Sequence, residues 1–187
     1  MTSLSRRSLL TAVPAAAVVA AVPANAEATT ALDLAPRFTV SSAQAAGFAG
    51  TVALRIDNVG AQRHYGEFPT VAFRVEVHTA GGPVGVDRPI SFTRFNGAHV
   101  RDLGFDTERS VRRFEVHLSN PILAGESQLV ASFQLGDGLT REGRLTNTLV
   151  ATQTARLNGD SSTGNDQGIS STTATTDDFG RPHRGVF

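Results

Sequence analysis

Two short segments of this chain carry arginine, glutamate and histidine in the same order, and these residue types can do acid–base or metal chemistry. The segment Arg74-Val75-Glu76-Val77-His78 is echoed by Arg113-Phe114-Glu115-Val116-His117. Alternate residues of a strand share one face, so each segment places its three polar residues together. One hypothesis brings His78 and His117 together as a metal or proton site. The favoured interpretation is two independent amphipathic strands with a polar solvent face.

The other candidates for chemistry are scattered along the chain. Serine hydrolysis favours a Gly-x-Ser-x-Gly elbow, which the sequence lacks. Zinc sites favour closely spaced ligands, whereas the histidines stand singly. These histidines are His64, His78, His99, His117 and His183. A glycosidase needs two positioned carboxylates, and spacing alone leaves that alternative open. The acids that could form such a pair are Glu76, Asp102, Asp106, Glu108 and Glu115.

Oxygen ligands that calcium could use lie near the C-terminus. They are Asp160, Asn165 and Asp166, with Asp177 and Asp178 further on. Their spacing matches neither an EF-hand nor a repeat-in-toxin loop. Cysteine is absent, which excludes disulfides, thiolate metal sites, iron–sulfur clusters and covalently attached haem. We therefore predict no catalytic residue, no metal ligand and no cofactor, and a protein that is not an enzyme.

The first 26 residues have the features of an export signal. Ser5-Arg6-Arg7-Ser8-Leu9-Leu10 precedes an Ala/Val-rich run that ends at Ala24-Asn25-Ala26. This segment resembles a twin-arginine signal peptide, which implies export in a folded state, with the export machinery and a signal peptidase as partners. The residues implied for recognition and cleavage are Arg6, Arg7, Ala24 and Ala26. An uncleaved N-terminal anchor is the alternative, but the apolar run is shorter than a membrane span requires.

The composition limits what the exported part can do. All 17 basic residues are arginine, which suggests a GC-rich, actinobacterial genome. Without residues 1–26, the chain has the length of one domain and a slight excess of acids over arginines. We therefore expect no nucleic-acid partner. We also expect no transmembrane anchor after cleavage, and a location outside the cell or at its envelope.

Apolar residues alternate with polar ones from Arg37 onward, which is typical of strands. In Thr51–Asp57, for example, Val52, Leu54 and Ile56 share a face. Asn96-Gly97 predicts a two-residue hairpin between 90–95 and 98–103. No stretch shows helical spacing over three turns. The pattern predicts an all-β protein, an antiparallel sandwich or barrel.

Composition also divides the chain into segments. Residues 27–36 form a short leader, and residues 37–157 form the β-sandwich domain. From Asn158 onward glycine, serine, threonine, asparagine and aspartate dominate, with few residues to bury. We therefore predict a flexible, mostly disordered tail over residues 158–187.

Three stretches of the predicted domain resemble bacterial immunoglobulin-like surface domains of the CARDB-like and conserved surface-repeat type. They are Val52-Ala53-Leu54-Arg55-Ile56-Asp57-Asn58-Val59-Gly60-Ala61, Leu123-Ala124-Gly125-Glu126-Ser127 and Leu145-Thr146-Asn147-Thr148-Leu149-Val150-Ala151-Thr152. The resemblance implies an antiparallel immunoglobulin-like β-sandwich of about seven or eight strands. It also implies a structural or interaction role at a surface.

We therefore expect an exported, non-enzymatic β-sandwich protein that acts at the cell envelope or outside the cell through surface contacts with an envelope or protein partner. The alternatives are a secreted binding module for a small ligand, metal ion or protein, and a hydrolase that uses a carboxylate pair. Two loops with mixed charge and aromatic residues are the candidate contact surface. Its residues are Arg63, His64, Tyr65, Phe68, Arg101, Asp106 and Arg109.

Overall fold

The computed structural model describes residues 30–44, 50–80, 90–135 and 146–183, which contain ten β-strands in two sheets. The strands of the first sheet are β1 (Leu34–Val40), β2 (Thr51–Asn58), β4 (Ser91–Arg94), β7 (Ser127–Gln134) and β10 (Thr175–Asp177). Those of the second sheet are β3 (Ala72–Ala80), β5 (His99–Asp106), β6 (Val111–His117), β8 (Thr146–Ala155) and β9 (Ile169–Ser170).

The two sheets form a mostly antiparallel β-sandwich, which confirms the predicted fold class. The first sheet has the order β10-β1-β2-β7-β4, and the second has the order β5-β6-β3-β8-β9. Neighbouring strands are antiparallel except β1 and β10, which are parallel. The described residues hold ten strands where seven or eight were expected, because β9 and β10 lie beyond the predicted domain. No helix in this part of the chain has the length and apolarity that a membrane crossing requires.

The core lies between the sheets and follows the predicted alternation. In β2, Val52, Leu54 and Ile56 are buried while the intervening side chains face outward. Phe114 of β6 and Phe133 of β7 meet across the interior with ring centroids 5.0 Å apart. Burial of side chains of this size stabilises a fold by about 1.5–3 kcal/mol each. Because the chain has no disulfide, this packing and the hydrogen bonds hold the sandwich together.

The turn at Asn96-Gly97 has the predicted backbone, but the predicted hairpin is wrong. Both residues have positive φ, 47° and 72°, and the Ala98 N–H donates to the Phe95 carbonyl at 2.9 Å. The strands on either side separate, however, since β4 pairs with β7 and β5 pairs with β6. The Phe95 N–H donates to the Val130 carbonyl at 3.1 Å, which holds the incoming arm on the first sheet. The turn is therefore a corner between sheets.

Residues 158–183 fold onto the sandwich, so the prediction of a flexible tail is wrong for this part of 158–187. β9 pairs with β8, and β10 pairs with β1. The segment is polar but well bonded: Ser171 N–H donates to the Leu149 carbonyl at 2.8 Å, and Leu149 N–H donates to Ser171 Oγ at 2.9 Å. Hydrogen bonds and ion pairs, rather than apolar content, order this segment, and composition does not reveal such contacts.

The predicted leader over 27–36 also belongs in part to the fold. β1 begins at Leu34, inside that segment, and the buried carboxylate of Asp33 accepts a hydrogen bond from Asn165 Nδ2 at 3.0 Å. The domain therefore starts before the predicted boundary at residue 37. The proposed signal, with Arg6, Arg7, Ala24 and Ala26, lies outside the described residues.

A buried group of polar residues fastens the C-terminal segment to the sandwich; we call His64, Gln153, Arg156, Asp160 and Asp166 the ionic network. Arg156 Nη2 lies 3.0 Å from Asp166 Oδ2, and its Nη1 lies 3.6 Å from Asp160 Oδ1. These contacts are ion pairs rather than aligned hydrogen bonds. Asp160 Oδ2 accepts a hydrogen bond from Gln153 Nε2 at 3.2 Å and lies 3.5 Å from His64 Nε2. Both carboxylates are fully buried, so Arg156 is the cation that compensates them.

Replacing Arg156 should therefore destabilise the fold strongly. Arg156→Gln leaves two buried carboxylates without a cation, and removal of one partner from such a group costs about 3–5 kcal/mol. We expect urea unfolding to show a loss of that size. Arg74→Gln is the matched control, because Arg74 is exposed on β3, and it should change stability by about 0.5 kcal/mol or less. Equal effects of the two substitutions would contradict the role assigned to the network.

Candidate functional site

The two Arg-Glu-His segments pair with each other across the second sheet. In the register of β3 and β6, Arg74 lies opposite Glu115, and Glu76 lies opposite Arg113. His78 faces Val111 at one end of the pair, whereas His117 faces Ala72 at the other. Six residues of strand, about 20 Å, separate the two histidines. The hypothesis of a shared metal or proton site at these histidines is therefore wrong, and the polar rows lie on the outer face of the sheet.

Phe68, in one predicted contact loop, packs on two histidines of the second sheet. Its ring centroid lies 4.7 Å from that of His99 and 5.4 Å from that of His117. The His117 ring is itself held between Glu115 Oε2, 3.0 Å from Nε2, and the Pro69 carbonyl, 3.4 Å from Nδ1. The loop therefore rests on a fixed polar support rather than extending freely into solvent.

Arg101, in the other predicted loop, lies beside this support. Its Nη2 donates to Glu115 Oε2 at 2.8 Å. The hydrogen bond from His117, together with the charges of His117 and Arg101, holds the pKa of Glu115 below its usual range. Glu115 therefore stays ionised at neutral pH. The structure thus places Phe68 and Arg101 in one region.

Asp106 and Arg109 do not join this region. They lie at the far end of β5, where Asp106 faces Val111, whereas His99 faces His117 at the near end. Asp106 accepts a hydrogen bond from the Arg109 backbone N–H at 3.1 Å and forms an ion pair with Arg113. The Arg109 hydrogen bond, aided by Arg113, lowers the pKa of Asp106. These two residues stabilise the β5–β6 turn, apart from the Phe68 region.

His64 was predicted as a contact residue, and this prediction is wrong because the side chain is buried. The backbone N–H and carbonyl of His64 exchange hydrogen bonds of 2.9 Å with Ile122. This bridge turns both side chains inward, and His64 then meets Asp160 of the ionic network. The partner lies 96 positions along the chain, so local sequence gave no sign of the burial. The flanking residues Arg63 and Tyr65 are exposed, with the guanidinium carbon 5.2 Å from the ring centroid.

Four large apolar side chains are exposed on loops at one end of the sandwich; we call Val59, Tyr65, Phe68 and Leu123 the apolar patch. Each is between 46% and 57% exposed. Tyr65 and Leu123 directly follow His64 and Ile122, which are paired in a β-bridge. Asn58, which directly precedes Val59, exchanges backbone hydrogen bonds with the loop at 125–126. Tyr65 and Phe68 were predicted from sequence, whereas Val59 and Leu123 were not, since a single exposed aliphatic residue carries no local signal.

A groove with a volume of about 670 Å³ lies on the outer face of the first sheet. It runs from the middle of β1 and β2 towards Val40 and Gly50, away from the apolar patch. Its polar lining includes Arg37, Thr39, Thr51, Arg55, Gln134 and Asp177. This volume is within the range of small-ligand sites. The groove was not predicted from sequence, because its residues have the pattern of the ordinary polar faces of four strands.

The acids that could serve calcium are engaged elsewhere. Asp160 and Asp166 face Arg156 in the ionic network, and both Asp177 oxygens accept hydrogen bonds, with Arg181 Nε 2.8 Å from Oδ2. Within residues 30–183, in the ranges that the structure describes, no group of three or more histidine or acidic side chains is arranged to hold a metal ion.

No protein-family model matches the chain, and no curated protein matches it. A solved structure, "The unique CBM3- of Hungateiclostridium clariflavum", is similar at 12% identity with a TM-score of 0.40. The alignment covers 69% of this chain and 95% of that one.

The burial of His64 predicts a pH-dependent stability. Burial lowers the pKa of His64, although Asp160 opposes the shift. The unfolded chain therefore binds a proton more readily, and stability is lost as the pH falls below about 6.5, the pKa of an unperturbed histidine. We expect urea unfolding to show a decrease from pH 7.5 to pH 5.5, at no more than about 1.4 kcal/mol per pH unit for this group.

The His64→Gln variant separates this effect from other titrations. Its loss of packing is the same at both pH values, so the comparison isolates protonation. The variant should lose less stability than the native protein between pH 7.5 and pH 5.5. An equal loss in both proteins would show that His64 contributes nothing to the pH dependence.

Proposed function

We propose that the protein is an exported, non-enzymatic β-sandwich module that acts outside the cytoplasm by binding a partner at the cell envelope through the apolar patch. The observation that carries this proposal is that Val59, Tyr65, Phe68 and Leu123, all about half exposed, lie in loops at the same end of the sandwich. Exposed apolar side chains that are concentrated in one part of a polar surface are typical of interaction surfaces.

The size and type of these side chains support a role as anchors. Burial of one such side chain against a partner is worth about 1.5–3 kcal/mol. Micromolar binding corresponds to about 8 kcal/mol, so three or four anchors supply a large part of that free energy before ordering costs. Tyrosine is among the residue types enriched at binding hot spots, and Phe68 is already positioned by His99 and His117.

Polar residues beside the patch would add specificity. Arg63 lies against Tyr65, and the Arg101–Glu115 pair lies beside the imidazoles that support Phe68. Polar groups at the rim of an interface contribute mostly to orientation and to the rate of association. The surround is mixed in sign, which favours a partner that is itself mixed rather than a uniformly charged polymer.

The state of the carboxylates supports a non-enzymatic role over the hydrolase alternative. Glu76 lies 3.6 Å from Arg113, and Glu115 contacts both Arg101 and His117. A glycosidase acid needs a raised pKa, whereas that of Glu115 is lowered. Both carboxylates also lie on the outer face of the second sheet, away from the groove. Their ion pairs are consistent with a structural role on a solvated sheet.

Binding through the patch can be measured by co-sedimentation with isolated envelope of the source organism. Tyr65→Ser combined with Phe68→Ser removes two anchors and should weaken binding by at least about tenfold. Phe179→Ser is the matched control, because Phe179 is 74% exposed but lies on another part of the molecule. It should leave binding unchanged at low and at high salt. If the control and the double variant weaken binding equally, the patch is not the binding surface.

The export component has its own test. Arg6→Lys combined with Arg7→Lys keeps both charges but removes the twin-arginine pair, and the protein should then be retained inside the cell. Immunoblots of cytoplasm, envelope and medium measure its distribution. Arg94→Lys, at an exposed position on β4, is the control and should be exported normally. Normal export of the double variant would overturn the assignment of the signal.

A further inference from the structure

One arginine in the groove, Arg55, has no partner among the residues that the structure describes. Five arginines in the described residues are half buried: Arg37, Arg55, Arg112, Arg113 and Arg156. Four of them contact a carboxylate at 2.5–3.0 Å. Arg55 has neither an ion pair nor a hydrogen bond within this part of the chain. Other unpaired arginines, such as Arg74, are exposed and hydrated, so the withdrawal of Arg55 from water is what distinguishes it.

The position of Arg55 makes the missing partner costly. It lies directly opposite Arg37 in the register of β2 and β1, and like charges opposite each other destabilise a sheet. Arg37 is compensated: its three guanidinium nitrogens donate to Asp57, Thr176 and Ser127 at 2.7, 3.1 and 3.0 Å. Arg37 is therefore fixed, and Arg55 is the guanidinium that stays available to the groove.

The acids near the groove are already engaged. Asp57 is paired with Arg37, and Asp177 with Arg181. Asp178, on the rim, accepts a hydrogen bond from the Ser42 backbone N–H at 3.0 Å. No described carboxylate lies within ion-pair distance of Arg55. The groove thus presents one uncompensated cation to a bound molecule.

The rest of the lining is suited to hydroxyl groups. Thr39 and Thr51 supply hydroxyls on neighbouring strands, and Thr51 donates to the Gln134 side-chain oxygen. That bond leaves the Gln134 amide NH₂ as a donor. Ala53 lies between Thr51 and Arg55 on β2, and its small side chain leaves room above the sheet.

We propose that this groove is a second binding site, for an oxyanion carried on a hydroxylated carbon skeleton, the chemistry of a sugar acid or sugar phosphate. The planar guanidinium of Arg55 pairs with the carboxylate or phosphate in a bidentate manner. Thr39, Thr51 and Gln134 take the hydroxyls. The site is separate from the apolar patch and does not depend on the proposed envelope partner.

The test is an NMR titration of the ¹⁵N-labelled full-length protein with glucuronate, glucose 6-phosphate, glucose and inorganic phosphate. The Arg55 Nε–Hε signal reports contact directly. We expect glucuronate or glucose 6-phosphate to shift it and to reach saturation, while glucose leaves it unchanged. The acid that binds should do so at least about tenfold more tightly than inorganic phosphate, because it also uses the hydroxyl groups.

Variants separate the site from general effects. Arg55→Gln should weaken binding of the sugar acid at least about tenfold, since it removes a charge-assisted pair. It should also unfold at an equal or higher urea concentration than the native protein, because the repulsion from Arg37 is lost. Arg55→Lys keeps the charge without the planar fork and should show intermediate binding. Arg74→Gln is the matched control and should bind normally.

Several results would overturn the proposal. If glucose binds as tightly as glucuronate, the anion is not the recognised group. If inorganic phosphate binds as tightly as both sugar acids, the hydroxylated skeleton is not recognised. An equal loss of binding in Arg55→Gln and Arg74→Gln, or no movement of the Arg55 signal with any probe, would remove Arg55 as the anchor.

Discussion

The ion pairs between Arg156 and two buried carboxylates are the interaction on which both candidate surfaces depend. Asp160 also meets His64, which fixes the loop that displays Arg63 and Tyr65 at the apolar patch. Asp166 anchors the segment that continues into β9 and β10, and Asp177 of β10 lines the groove. In a chain without disulfides, one half-buried guanidinium thus connects two distant parts of the surface. Its burial is costly, and this cost is offset only while all of its partners are in place.

Arginine is used in three ways across this molecule, and the chain has no lysine to share the work. Arg156 compensates buried charge, and Arg37 links three residues of different strands through its fork. Arg113 contacts Glu76 and Asp106 on the outer face of the second sheet. These uses exploit a planar group with several fixed donors, which an ammonium cannot reproduce. Among the half-buried arginines in the described part of the chain, Arg55 alone has no partner, and that contrast gives it its significance.

The strands and core followed from sequence because they depend on a period of two. Val52, Leu54 and Ile56 share a buried face in the structure as they do in the pattern. The Asn96-Gly97 turn was also predictable, since positive φ is a local property. Distant partners such as Val130, however, decide which sheet each of the flanking strands joins. The C-terminal segment was misjudged for the same reason. The apolar content of a segment indicates how far hydrophobic burial can order it. It gives no information on an ion pair such as the one between Asp166 and Arg156.

The residues of the candidate surfaces also differ in whether local sequence or distant contacts determine their role. Tyr65 and Phe68 could be identified from sequence because exposed aromatic residues in a charged loop are unusual. The burial of His64, the residue before Tyr65, could not be predicted from sequence. The role proposed for Arg55 also depends on tertiary structure, because the sequence does not show which residues surround an arginine in a strand. The groove extends from Arg55 of β2 away from Val59, which directly follows the end of this strand. Since this strand is packed on a dense core, a partner at the patch and an anion in the groove occupy separate surfaces of one rigid element and need not compete.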